Sequence, residues 1–435
     1  MKVAVIGAGS SYTPELVGGF LTRQTQLPLN ELVLMDLDPV KLGVVGGLAG
    51  RMLTQAGHRA RLSLTENLDE ALRGADFVLT QFRVGKLDAR ILDEKIPLGF
   101  DLIGQETTGI GGLFKALRTI PVIETISQRM EVLCPRALLV NFTNPSGIVT
   151  QYLATHSPVR AVGLCNVPIN MHHDLARILG KPVTELELDY VGLNHLSWVT
   201  AARHQGTDLL PGLIDSGYQG ATMKNIPGIE VDPLVLHTAG GLPSSYLNYF
   251  YYRDKQLAML KQAKLSRGEE CQSVEAQLLE IYARPTTVAA PPELEQRGGH
   301  LYSEVAVSLI DAVWNNTGAE NVVDLRNDAT SHPSGRILDF LEPDDVIEAP
   351  ALVSRERFKG RPPLHRPNHH VMGLVQAVKA FERLAVEAAV RGDRDAAMQA
   401  LLVNPLVGDW DRATACFDAL LKAHRVWLPR FFGKT

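Results

Sequence analysis

Cysteine is scarce and scattered in this sequence. Its four copies, Cys134, Cys165, Cys271 and Cys416, share no paired spacing, which argues against a disulfide framework and for a reducing compartment, the cytoplasm. Basic excess is missing as well. Lysine and arginine total 43 against 48 aspartates and glutamates, a net charge of −5, so no general attraction to the phosphates of nucleic acid is expected. No apolar run approaches the ~18 to 20 residues that a spanning helix requires, so no membrane partner is expected either. The opening Met1-Lys2-Val3-Ala4-Val5-Ile6 is too short for a secretion signal and reads as a first β-strand. Internal repeats and low-complexity tracts are absent. What remains is an ordinary globular composition, 45% hydrophobic, in a chain of 435 residues. That length exceeds what one core usually serves, and two lobes are expected.

The first third alternates short apolar runs with helical spacing. Val3 to Ile6, Glu31 to Met35, Phe77 to Phe82, Ala137 to Phe142 and Val159 to Leu164 read as buried parallel strands, separated by helices such as Pro14 to Arg23 and Val40 to Gln55. This is the pattern of a doubly wound, Rossmann-like α/β fold. Past about residue 170 the alternation stops, and longer helices are expected over Ser244 to Leu265 and Gln272 to Tyr282. The division expected is therefore 1–170 for a dinucleotide-binding domain and 171–435 for a mixed α+β domain that binds substrate and supports oligomerisation.

Gly7-Ala8-Gly9-Ser10-Ser11-Tyr12 follows a strand and opens a helix. Gly7 suits the tight turn, and Gly9 lets backbone approach a pyrophosphate at the helix N-terminus with Ser10 and Ser11 beside it. Tyr12 stands where the usual pattern has a third glycine, so the loop alone is weak evidence. Asp36, at the end of Leu32-Val33-Leu34-Met35-Asp36, strengthens it, because an acid there can hold ribose hydroxyls and favours NAD over a 2′-phosphorylated cofactor. The alternative for Asp36 is a helix cap shared with Asp38 and Pro39.

Cys165 and His195 each close an apolar run, which in a doubly wound fold places them in the crevice beyond the strand ends. Thiolate and imidazole together make a partial coordination sphere for a divalent cation. Each residue taken singly is more often an inert core position.

Five strings carry a resemblance: Gly7-Ala8-Gly9-Ser10-Ser11-Tyr12-Thr13-Pro14-Glu15-Leu16, Ile103-Gly104-Gln105-Glu106-Thr107-Thr108-Gly109, Asn141-Phe142-Thr143-Asn144-Pro145-Ser146-Gly147, Cys165-Asn166-Val167-Pro168 and Gly192-Leu193-Asn194-His195. Together they resemble the family 4 glycoside hydrolases, and the likeness continues more loosely through Ser245-Tyr246-Leu247 and Arg297-Gly298-Gly299. The form Cys-Asn-Val-Pro is the one associated with 6-phospho-β-glucosidases. The resemblance implies Cys165 and His195 as ligands of a divalent metal, usually Mn2+, with Asn144 and Asn166 beside the substrate and Tyr246 as the catalytic base. The alternative for Tyr246 is helix packing, since Tyr249, Tyr251 and Tyr252 stand close by.

The reaction so implied is redox-assisted, unlike the usual two-carboxylate scheme. NAD takes a hydride from carbon 3 of the sugar, a base removes the acidified proton on carbon 2, and the glycosidic oxygen leaves carbon 1. Water then adds and the hydride returns. Arg83, Arg90 and Arg267 are candidates to grip the phosphate, Arg90 fitting the family pattern best, and each has a surface salt bridge as its alternative. Gln105, Glu106 and Thr107 receive no individual role, and Thr108 fits a helix cap.

The expected partner is a phosphorylated glucoside or disaccharide, and a homodimer or homotetramer is expected from the resemblance. The competing enzyme class is a metal-free NAD-dependent 2-hydroxy acid dehydrogenase of the lactate/malate type. Such enzymes carry a carboxylate-gripping arginine where this chain has Cys165-Asn166-Val167-Pro168.

Overall fold

The fold follows from a first half rich in short, fully apolar strands. A computed structural model describes residues 1–218, 226–298 and 301–433. Strands β1 (Lys2–Ile6), β2 (Glu31–Met35), β3 (Arg61–Thr65), β4 (Phe77–Thr80), β5 (Leu138–Asn141) and β6 (Ala161–Gly163) pair in parallel, in the order β3-β2-β1-β4-β5-β6. All of β4 and β5, and all but the first residue of β1 and β2, are buried, as parallel strands covered by helices on both faces must be.

Two sequence expectations need correction. Strand β3 was not anticipated, because as an edge strand its residues are exposed or half-buried and it lacks the continuous apolar run of the others. Ser244 to Leu265 is not one helix. It divides into a 3-10 turn (Ser245–Leu247) and helices Asn248–Tyr251 and Arg253–Gln262. Tyr252, at φ −129° and ψ 40°, breaks the helical path.

The second half makes a smaller antiparallel sheet from β7 (Leu186–Leu193), β8 (Leu196–His204), β9 (Thr207–Asp208) and β10 (Leu242–Pro243). The chain then returns to the first sheet. Strands β11 (Glu320–Arg326), β12 (Val346–Val353) and β13 (Phe358–Gly360) extend it antiparallel beyond β6, giving nine strands. Helix His369–Arg391 carries Val371, Val375, Val378 and Phe381 on its apolar face and buries them in the same core. A second apolar cluster gathers β7, β8, helix Val167–Leu179 and Tyr246. No helix among the described residues is long and apolar enough to cross a membrane.

Candidate active site

The crevice lies beyond the C-terminal ends of the parallel strands, and five of them deliver residues to it. Gly7 follows β1 at φ +88°, where a Cβ would lie 2.6 Å from the Phe82 backbone. Only glycine fits that turn. The amides of Gly7 and Ala8 both donate to Met35 O at 2.9 Å, and Gly9 N donates to the Asp36 carboxylate at 2.8 Å. Asp36 thus ties the loop after β1 to the end of β2, while Asp38, not Asp36, caps the following helix through Lys41 N. Ser10 Oγ accepts from Tyr12 N at 3.3 Å. Ser11 is fully buried, and its carbonyl accepts from the Tyr282 hydroxyl at 2.7 Å.

Cys165 and His195 come from separate elements and meet. Cys165 follows β6, and its Sγ accepts from Val167 N at 3.4 Å, at the start of helix Val167–Leu179. His195 occupies the tight turn between β7 and β8 in the left-handed region, φ +63°. The hairpin closes there because a Cβ on Gly192, itself at φ +146°, would lie 2.1 Å from Leu196 O. Cys165 Sγ and His195 Nε2 are 3.5 Å apart.

The histidine tautomer follows from its neighbours. Thr107 Oγ1 donates to Gln105 Oε1 at 2.8 Å, and the same oxygen also receives Thr108 N at 3.0 Å. With its hydrogen so used, the Thr107 hydroxyl accepts from His195 Nδ1 at 3.0 Å, which turns the Nε2 lone pair toward the sulfur. Burial, and then the Lys115 ammonium, push the His195 pKa down to about 3. The ring is therefore neutral and able to bind metal near neutral pH.

Tyr246 stacks on that ring, centroids 3.9 Å apart and planes within 6°. Burial raises its phenol pKa well above the ordinary tyrosine range, with Cys165 and Glu106 adding to the shift. The Cys165 thiol is raised too, by burial first and then by Glu348.

Arg90 is buried and not a surface residue. Its Nε donates to Glu94 at 2.7 Å and its Nη1 pairs with Glu106 at 2.9 Å. Glu106 also binds Arg83 and, at 2.6 Å, Lys115. These cations hold the Glu106 carboxyl well below its usual range despite the opposing effect of burial. Burial, with Arg83, brings Lys115 down to about 7. Glu94 in turn accepts from Gly268 N at 2.6 Å, so the helix that begins at Arg267 is docked against Arg90. Arg267 itself pairs with Glu270 at 2.9 Å and donates to Gln296 O at 2.7 Å. Asn144 lies after β5 at the cis Asn144-Pro145 bond, and Asn166 Oδ1 is 4.0 Å from Cys165 Sγ. Gly299 lies outside the described residues.

Residues 2–181 match the family 4 glycosyl hydrolase domain, and residues 190–407 match the C-terminal domain of the same family. The chain belongs to glycosyl hydrolase family 4. This family 4 chain is 42% identical to the probable 6-phospho-beta-glucosidase of Bacillus subtilis, over 100% of its own length and 98% of the relative's. It is 38% identical to the 6-phospho-beta-glucosidase of Escherichia coli, over 99% and 97%. A solved structure of the 6-phospho-beta glucosidase from Thermotoga maritima, with manganese, NAD+ and glucose-6-phosphate, superposes with a TM-score of 0.87 at 31% identity, covering 98% of this chain and 99% of that one. A Plasmodium falciparum malate dehydrogenase superposes at 0.51 with 10% identity, covering 91% of this chain and 99% of that one. That likeness shows the shared Rossmann-like fold and nothing of the activity.

The donor pair of this family 4 hydrolase fits a divalent cation. Bond lengths of ~2.3 Å to sulfur and ~2.1 Å to nitrogen at a tetrahedral angle put the two ligand atoms ~3.6 Å apart, close to the 3.5 Å between Cys165 Sγ and His195 Nε2. Among the described residues no third histidine, cysteine or carboxylate joins them, which leaves coordination positions for water and ligand oxygens. Around the crevice, Thr107 and Arg297, which belong to family strings but carried no role in the sequence, are joined by Lys115, Asp324 and Glu348, which the sequence did not single out. One signal was present: Lys115 and Arg118 stand in the apolar first half of the Gly109–Leu133 helix and are both buried, where a charge survives only with a partner. Thr108 occupies the N-cap position of that helix, but its side chain caps nothing.

Proposed function

We propose that this chain hydrolyses 6-phospho-β-D-glucosides with the help of NAD and a divalent cation, most naturally Mn2+. The observation that carries the reading is the approach of Cys165 Sγ and His195 Nε2 to 3.5 Å with the Tyr246 ring stacked on the imidazole. Bound NAD supplies a reversible hydride acceptor for carbon 3, and the cation supplies positive charge at the adjacent sugar oxygens, so that the proton on carbon 2 becomes acidic.

Cys165 and His195 hold the cation, the imidazole kept neutral by burial. Tyr246 takes the carbon-2 proton. Its raised pKa in the protein alone suits a strong base once a nearby positive charge brings the phenol within reach of deprotonation. Loss of the glycosidic oxygen from carbon 1, addition of water and return of the hydride complete a cycle with no net redox change. Gly7, Gly9, Ser10, Ser11 and Asp36 hold the dinucleotide. Asn144 and Asn166 meet the sugar, and Arg90 and Arg267 stand on the phosphate side. Asn166 after the cysteine supports the β configuration. The reading places the enzyme in the cytoplasm as a homodimer or homotetramer, with residues 1–170 serving the cofactor and 171–435 the substrate and assembly.

The test is release of p-nitrophenol from p-nitrophenyl β-glucoside 6-phosphate with and without NAD, Mn2+ and reductant. Cleavage is expected only when both cofactors are present, and cleavage that persists after both are removed would refute the mechanism. Size-exclusion chromatography with light scattering checks the assembly.

A further inference from the structure

Three arginines are buried among the described residues: Arg90, Arg118 and Arg297. The first faces Glu94 and Glu106, and the second faces Asp93. Arg297 has no side-chain carboxylate at ion-pair distance among the described residues, unlike the other two. What Arg297 does have is modest. Its Nε donates to Ser11 Oγ at 3.2 Å, and its guanidinium lies 5.4 Å from the Tyr12 ring centroid. A neutral hydroxyl and one aromatic face recover only part of the cost of taking a guanidinium out of water.

Its charged neighbours oppose one another: Arg90 works against the Arg297 charge, while Tyr12, Cys271 and Glu275 favour it, Glu275 being already paired with Lys41 and Cys271 Sγ lying 3.7 Å from Arg90 Nη1. Leaving aside the Lys41–Glu275 pair at the edge, Arg83, Arg90, Lys115 and Arg297 gather around two carboxylates, Glu94 and Glu106, beside the loop that ends at Ser11 and Tyr12. A buried cluster with surplus positive charge is stable when an anion completes it, and the planar guanidinium fork matches a phosphate ester.

We propose that Arg297 is a phosphate seat: the group that completes this cluster is a phosphate oxyanion, either the 6-phosphate of the sugar or the pyrophosphate of the cofactor. The inference rests on the proposed use of a phosphorylated sugar and a dinucleotide. Arg297 then acts as a specificity residue, favouring phosphorylated over plain glucosides or anchoring NAD at the Ser11 end of its loop.

The test is binding to Arg297→Met and Arg297→Lys in the presence of Mn2+, by calorimetry with glucose 6-phosphate, glucose and NAD as separate probes, together with the melting temperature of the ligand-free protein. Expected is at least about a tenfold loss of affinity for one phosphorylated probe, with glucose unaffected and the ligand-free melting temperature unchanged or raised in Arg297→Met. Loss with glucose 6-phosphate alone assigns the seat to the sugar, and loss with NAD alone assigns it to the cofactor. A lower ligand-free melting temperature with both phosphorylated affinities intact would make Arg297 a structural residue and overturn the proposal. Should Arg297→Met fail to fold, Arg297→Lys decides, since it keeps the charge and loses the fork: unchanged affinity for both phosphorylated probes overturns the seat. Hydrolysis is not read in these assays. A chain that binds as expected but does not cleave the chromogenic glucoside would refute the activity and leave the phosphate seat standing.

Discussion

The two sides of the crevice hold an excess of ionisable groups of opposite kind, basic on one and carboxylic on the other. On one side Arg83, Arg90, Lys115 and Arg297 outnumber Glu94 and Glu106. On the other, Asp324 and Glu348 sit opposite each other on β11 and β12, both buried, with no cation at ion-pair distance among the described residues. Asp324 accepts from Ser146 Oγ at 2.7 Å, and Glu348 accepts from the Tyr190 hydroxyl at 2.7 Å and Asn194 Nδ2 at 3.2 Å. Glu382, close to them, is paired with Lys379. Burial raises the carboxyl pKa of both Asp324 and Glu348, and Asp324 adds to the shift of Glu348. A fold can bury a charge cheaply only against its opposite, so each surplus marks the sign of what the crevice receives: an anion beside Arg297 and a cation above Glu348, where Cys165 and His195 meet.

The largest break in that comparison is removal of the thiolate. Cys165→Ser should abolish Mn2+ binding in titrations followed by electron paramagnetic resonance. The affinity should fall by more than about 100-fold, since even losing an outer partner of a metal ligand costs ~10- to 100-fold. The fold should persist, because Cys165 is only half-buried. Retained Mn2+ affinity would place the cation elsewhere. Tyr246→Phe comes next. It keeps the ring on His195 and removes only the phenol oxygen, so kcat should fall by roughly 10² to 10⁴ as for loss of a general base, with little change in KM. Exchange of the carbon-2 proton with solvent deuterium should vanish with it; exchange at the native rate would assign the proton to another group.

Legibility from sequence divides along the same line. Strands β1, β2, β4, β5 and β6 were readable because burial on both faces leaves a continuous apolar run, and Gly7, Gly9 and Asp36 were readable because a strand-turn-helix is local. Cys165 and His195 were ambiguous as single residues and gained meaning only from the strings around them. The charge surplus was readable only as isolated members, Arg83, Arg90 and Lys115, and not as an imbalance. Arg297 meets Ser11 across 286 residues and Glu348 meets Tyr190 across 158, and Asp324 and Glu348 look like ordinary polar positions on strands until the β11–β12 register sets them face to face. Tyr246 falls within the helix expected over Ser244 to Leu265. The 3-10 turn that brings it to His195 depends on the β8–β10 pairing just before it.

The smallest effect sharpens the acidic side. Because the carboxyls of Asp324 and Glu348 stay protonated in the folded protein at pH values where an unfolded chain has released those protons, the folded state binds more protons across the range from the ordinary carboxyl pKa upward. Stability of the metal-free protein should therefore fall as pH rises through that range and level off at the acid end, where both states are protonated. Glu348→Gln removes one titrating group while keeping an acceptor for the Tyr190 hydroxyl. Its metal-free melting temperature should be less sensitive to pH and at least equal to that of the parent near pH 8, while Mn2+ affinity falls by about 10- to 100-fold as for other outer-shell partners. Those two changes run in opposite directions, which a residue serving only to brace the β7–β8 hairpin would not produce. Such a residue would lose stability at every pH, and that result in a thermal scan from pH 5 to pH 8 would strip Glu348 of its role toward the cation.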